Sequence, residues 1–174
     1  MDVMEKQAPS EARSKKIMTQ AEPKQVAWVA STVPDLLEKA CAYSGGRFSP
    51  ESVVHACADG RWQMWLAFDY EGAKEDRENF GKYVDVVTIT TLSQYPTGLK
   101  MGEILLIAGR GKSEEWLPYI ENLKSWAAAE GCQRLQFIGR QGWRRMLGND
   151  CKMVTTMFEI DVNGDEDGRE QRRH

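Results

Sequence analysis

Residues 61–68 (RWQMWLAF) constrain the fold of this chain more than any other stretch, because an extended backbone there carries large side chains on both faces. Side chains alternate along a strand, so Trp62, Met64, Leu66 and Phe68 fall on one face and Gln63, Trp65 and Ala67 on the other. A strand that is bulky on both faces belongs inside a sheet that is covered on both sides. The chain must therefore supply further strands beside it and helices above and below it. With 174 residues, 41% of them hydrophobic, it can build one ordinary domain with a real core, and it is short for two.

The rest of the chain reads as those layers. Residues 25–30 alternate well enough for a short strand, with Val26, Trp28 and Ala30 on one side. A helix is predicted over 33–43, where Leu36, Leu37, Ala40 and Cys41 make one apolar stripe before Gly45 and Gly46 stop it. Ser49, Pro50 and Glu51 mark a second helix start, since a serine hydroxyl accepts from first-turn amides and proline needs no partner there. Gly60 closes that helix. The polar stretch 69–82 reads as a long loop, 83–92 as a strand rich in β-branched residues, and Tyr95, Pro96, Thr97 and Gly98 as a turn.

Residues 103–108 form a buried strand closed by Gly109, Arg110 and Gly111. A helix over 114–130 follows, with Trp116, Ile120, Leu123 and Ala127 on one stripe. Pro118 suggests that its regular part begins one turn late, because a proline deeper inside would remove a hydrogen bond. Gly131 ends the helix; 134–138 is then a strand, 143–147 a short helix and 152–160 a final strand. The order β, α, α, β, β, β, α, β, α, β describes an α/β fold with a mixed sheet. Residues 1–23, which hold no aromatic residue, read as a flexible arm, 24–161 as the domain, and 162–174 as a disordered, solvated tail.

Charge and cysteine placement exclude several classes. The net charge of -3 lacks the basic excess of a non-specific nucleic-acid binder or a peripheral membrane protein. The longest apolar runs span about five residues where a membrane helix needs roughly twenty. With no apolar leader near residue 1 either, the expected location is the cytoplasm or an assembly built there. Cys41, Cys57, Cys132 and Cys151 form no CxxC pair, which argues against zinc and for reduced thiols packed as small hydrophobes. His55, between Val54 and Ala56, reads as a partly buried packing residue.

The element order resembles the GCN5-related N-acetyltransferase (GNAT) fold over roughly residues 24–161. Gly131-Cys132, the string Gly139-Arg140-Gln141-Gly142-Trp143-Arg144-Arg145 and the earlier Gly60-Arg61-Trp62-Gln63-Met64-Trp65 are similar to small GNAT-like proteins of tailed bacteriophages and prophages. The resemblance implies acyl transfer from acetyl-CoA to an amine, and the cysteine spacing leaves no metal to be expected. It also implies a diphosphate held by the backbone of the turn after the fourth strand, here Gly109, Arg110, Gly111, Lys112 and Ser113. The spacing of these glycines departs from the family's loop, and Glu114 and Glu115 place negative charge where a phosphate would sit. A plain strand-to-helix turn with an acidic first turn is the competing reading.

The tyrosine that many family members use to protonate the leaving thiolate is replaced by Arg144, which cannot supply a proton near neutral pH. Glu103, Asp85 and Tyr95 are the candidate general bases, each also readable as a solvated strand-end residue. Arg140, Trp143, Arg144 and Arg145 make a local basic and aromatic patch suited to a phosphate, an acidic partner surface or a nucleic-acid strand, unless Trp143 is simply core. Two functions therefore stand at this point. One is an acyl-CoA-dependent N-acyltransferase. The other is a non-catalytic virion component or protein-binding module on the same scaffold, docking to partners in a phage particle through its termini or the Arg140, Trp143 and Arg144 patch.

Overall fold

The computed structural model describes residues 15–139, 142–148, 151–154 and 157. Its centre is a five-stranded sheet in which spatial order follows chain order. The strands are β1 (Lys16–Gln20), β2 (Gln63–Asp69), β3 (Val84–Gln94), β4 (Lys100–Gly109) and β5 (Arg134–Phe137). The first four pair antiparallel, and β5 joins β4 in parallel. This is the mixed sheet that the sequence implied, and β2 lies inside it.

Both faces of β2 are covered. Met64, Leu66 and Phe68 enter a core shared with α1 (Val26–Thr32), α2 (Pro34–Ala42) and α3 (Pro50–Ala58). Val84, Val87, Ile89, Leu106 and Ala108 continue that face across β3 and β4. The opposite face meets α5 (Leu117–Ala129): the Trp65 and Trp126 rings stand edge to face, 5.5 Å apart. On that side Trp65 Nε1 donates to Thr90 Oγ1 at 2.9 Å and Thr90 Oγ1 donates to Gln63 Oε1 at 3.1 Å, while the buried Thr88 hydroxyl has no partner among the described residues.

Local chemistry sets the helix ends as the sequence suggested. Ser49 caps α3, its hydroxyl accepting from the Ser52 amide at 3.2 Å, and Pro50 opens the helix. Ser113–Trp116 is a 3₁₀ turn, and the regular α5 begins only at Leu117, with Pro118 in its first turn. The four cysteines are free thiols. Burial pushes the Cys57 thiol up to about 12.

Four local expectations are corrected. Residues 16–20 are not part of a loose arm: they form the edge strand β1, held by its ladder to β2, with Ile17 packed on the core. Residues 25–30 are not a strand, because Val26, Val29, Ala30 and Val33 are buried at helical spacing while Trp28 is 54% exposed. The stretch 69–82 is not an open loop; it holds α4 (Tyr70–Glu75) and a 3₁₀ segment (Arg77–Tyr83), anchored by buried Ala73 and Gly81. His55 is exposed and faces Asp59 at 3.3 Å, because it lies on the solvent side of α3. Of the expected final strand over 152–160, residues 152–154 take no regular structure. Met157 takes none either, and residues 155–156 and 158–160, like most of both termini, lie outside the described residues. The short helix α6 (Gly142–Leu147) belongs to a second compact unit and is described by itself.

Candidate functional site

The sheet parts between β4 and β5. Parallel pairing covers only Met101 to Ile104 on β4, matched with Arg134 to Phe137 on β5. At the same point β4 carries an extra residue against β3, since Ile89 pairs with Leu106 and Thr90 with Ile104, leaving Leu105 as a bulge. A bulge bends its strand and increases the local twist, which turns the end of β4 away from a straight neighbour. Among the described residues, positions 105–109 therefore have no strand on the β5 side. Their backbone groups offer a ladder that an extended ligand can complete.

The turn at the end of this open edge is tightly built. Gly109 has no room for a side chain: a Cβ there would lie 2.3 Å from the Trp116 ring. The Trp116 indole donates to the Arg110 carbonyl at 3.1 Å, and Lys39 Nζ on α2 donates to the Gly109 carbonyl at 2.7 Å. Gly111 has a φ of 72°, open to glycine at little cost. The Arg110 amide donates to the Asp85 carbonyl and the Glu115 amide to the Lys112 carbonyl. Among the described residues the Gly111 and Lys112 amides have no acceptor, so two donors point out of the turn beside the exposed Lys112 side chain.

Two side chains complicate that cradle. Arg110 turns its guanidinium inward, forking onto the Asp35 carboxylate at 2.9 Å and donating to the Gly81 and Val84 carbonyls. The Glu115 carboxylate lies beside Gly111, 2.9 Å from where a Cβ would be. The sequence marked Glu115 as out of place for a phosphate, and the structure puts its charge there. Ser113 opens the 3₁₀ turn that leads to α5.

The three candidate bases do not converge. Glu103 is half-buried at the last paired part of β4, and its Oε1 accepts from Gln136 Nε2 on β5 at 2.8 Å. Tyr95 is 43% exposed in the turn beyond β3, four residues and roughly 13 Å along the sheet from Glu103 at about 3.3 Å per residue. Asp85 lies about six residues the other way, near the turn, and its carboxylate is paired with Lys16 of β1. Burial, and next Asp85, raise the hydroxyl of Tyr119 on α5 above its ordinary value. Glu103 alone of the three stands where the strands part. Neither Gln136 nor Lys39 was marked by the sequence, because their roles depend on the register of strands and helices distant in the chain.

Trp143 is half-buried and Arg144 and Arg145 are exposed on α6, while Arg140 lies outside the described residues. Among the described residues no group of three or more His, Cys, Asp and Glu could hold a metal ion, and no helix is long and apolar enough to cross a membrane.

No protein-family model and no curated protein matches the sequence. Solved structures do match the fold. A probable acetyltransferase aligns with a TM-score of 0.59 at 14% identity, over 84% of this chain and 97% of its own. A predicted acetyltransferase from Clostridium acetobutylicum, solved with acetyl-CoA, aligns at 0.57 and 11% identity, over 86% of this chain and 97% of its own. The ribosomal-protein-alanine N-acetyltransferase of Brucella melitensis biovar Abortus 2308 aligns at 0.56 and 11% identity, over 84% and 99%. Identities this low speak for architecture rather than activity, and the architecture is that of the GNAT acetyltransferases.

Proposed function

We propose that this chain is an acetyl-CoA-dependent N-acetyltransferase. One observation carries the reading: β4 loses its parallel partner after Ile104 and ends in a turn with two unpaired amides. An unpaired strand edge suits the amide-bearing arm of coenzyme A, which can be held as an added strand. The Gly111 and Lys112 amides, with the Lys112 ammonium, would take the diphosphate. Gly109 and Gly111 keep the turn tight, with the Trp116 ring and the Glu115 carboxylate filling the space that side chains there would take.

When bound, the cofactor supplies a thioester carbon open to attack by an amine and a thiol as leaving group. The chain's own part is positioning and proton traffic. Backbone groups along 105–109 would fix the donor, so that acceptor and thioester meet in one orientation. Glu103, oriented by Gln136, would take the proton that the acceptor amine loses. Asp85 is ion-paired and Tyr95 is distant, so neither is assigned a proton.

A non-catalytic module on the same scaffold is the second reading. It is favoured by the engagement of Arg110 within the fold and by the Glu115 charge beside Gly111. The phage setting, with partners at the termini or at the Arg140, Trp143 and Arg144 patch, belongs to that second reading. Acetyl-CoA separates the two. For the enzyme, a hundredfold excess over its dissociation constant stabilises the protein by roughly 2.7 kcal/mol, read as a rise in melting temperature. Gly111→Val removes the rise, and thiol release with a panel of primary amines follows in the wild type. No shift at millimolar acetyl-CoA in a folded sample would leave the module as the better reading.

A further inference from the structure

A second cavity lies away from the β4 edge, bounded by α1, the end of β2, α4 and the 3₁₀ segment that follows. Its volume of about 360 Å³ falls in the range of roughly 300–1,000 Å³ that takes small ligands. Phe68, Phe80, Trp28 and Tyr70 form its walls, with Lys74 and Arg77 among its lining. The aromatic rings make a ladder from core to surface: Phe68 and Phe80 stand 5.2 Å apart, and Phe80 and Trp28 5.3 Å apart. Trp28 is 54% exposed and Tyr70 39% exposed at the outer end of this ladder. Large exposed aromatic surface gathered around one concavity is costly in water and is the usual mark of a binding surface.

The charges select the occupant. Lys74 and Arg77 have no anionic partner among the described residues, although the stretch 69–83 holds five acids. Asp76, one of the two carboxylates adjacent to Arg77 in sequence, is taken by the Asn79 amide at 2.9 Å and the Tyr83 hydroxyl at 3.2 Å. No carboxylate lines the cavity. Two unpaired cations disfavour the ammonium ligands that aromatic cages otherwise take, and they favour a negative group. We propose that this cavity is a second ligand site, for a planar aromatic ring carrying an anionic group, with the ring against Trp28, Tyr70 and Phe80 and the anion on Lys74 and Arg77.

The site is separate from the β4 edge. Phe68 lies two strands, about 10 Å, from β4. Its test uses indole-3-acetate as the probe, with indole-3-acetamide as the same ring without the charge. Calorimetric titration of the full chain should give saturable binding of the acid with a dissociation constant of about 0.1–1 mM, the strength expected of so small a ligand. The amide should bind at least about fivefold more weakly, and the Lys74→Ala, Arg77→Ala double variant should lose about tenfold for the acid. Both substituted side chains are exposed, so the variant keeps its fold. Trp28→Ala should abolish binding of both probes. Equal affinity for acid and amide, unchanged affinity in the double variant, or no saturable binding of the acid up to about 5 mM in folded wild-type protein would each overturn the proposal.

Discussion

Arg110 offers the sharpest test of how the turn after β4 is built. The family resemblance puts Arg110 in the turn that would hold a diphosphate; in the structure its guanidinium is a clamp joining the turn to α2 and to the segment before β3. The side chain is 37% exposed, and its strongest partners are two carbonyls in poorly hydrated surroundings, since Gly81 is buried and Val84 is 0% exposed. Removing a charged donor from such carbonyls costs about 1–3 kcal/mol. The Asp35 partner is 58% exposed, so water and salt screen that pair and it contributes only about 0–1 kcal/mol. Arg110→Ala should therefore destabilise the protein by about 1–4 kcal/mol, a fall in melting temperature of roughly 3–12 °C for a domain of this size.

Asp35→Ala separates the two contributions. It should cost under about 1 kcal/mol, because it leaves the carbonyl bonds in place. Arg110→Lys should recover less than half of the loss, since an ammonium cannot fork onto a carboxylate and reach both carbonyls. Urea unfolding followed by circular dichroism gives all three values, with the slope against denaturant checking that the unfolded state is unchanged. A full melting temperature in Arg110→Ala, together with loss of acetyl-CoA binding, would refute the clamp and restore the guanidinium as a ligand.

Gly109→Ala should cost about 1–3 kcal/mol in urea unfolding, because the new methyl group meets the Trp116 ring, whose indole is tied to the Arg110 carbonyl. Glu103→Gln should leave the acetyl-CoA thermal shift intact while lowering turnover of a neutral-pH amine assay by about 10²–10⁴-fold; equal turnover would remove Glu103 from the proton path. Hydrogen bonding from Asn79, with help from Tyr83, holds the Asp76 carboxyl below its ordinary value, so its share of stability is full above that value and is lost as pH falls through the folded one. The wild-type advantage over Asp76→Asn in urea midpoint should thus shrink as pH falls through and below the ordinary carboxylate range, and a constant difference would contradict that ionisation.

Elements whose shape is decided by neighbours in the chain were legible. Ser49 and Pro50 start α3 because capping is a matter of three or four consecutive residues, and Pro118 delays α5 for the same kind of reason. The stretch from Gln25 to Ala30 was misread because VAWVA satisfies a period of 2 and a period of 3.6 alike. Packing decides between them: a helix buries Val26, Val29, Ala30 and Val33 and lets Trp28 out to the aromatic cavity. β1 was invisible to composition because a five-residue edge strand draws its stability from the ladder on β2 rather than from its own apolar content.

The site was legible to the extent that it lies in one short stretch, and no further. Gly109, Gly111 and Lys112 are consecutive or nearly so, and a glycine-rich exit from a buried strand is visible in any reading of the chain. What makes that exit a candidate cleft is the single extra residue Leu105, which shifts the register of β4 against β3 just where β5 stops pairing. No local pattern announces a bulge in a run such as ILLIA, where every residue suits a strand equally well. The same register selects Glu103 from three candidates. With Glu103 opposite Gln136, its carboxylate is held at the parting of the strands, while Asp85 is carried to the far end and closed by Lys16. Shifting β5 by one residue would send Gln136 to the other face of the sheet and leave Glu103 without its orienting partner.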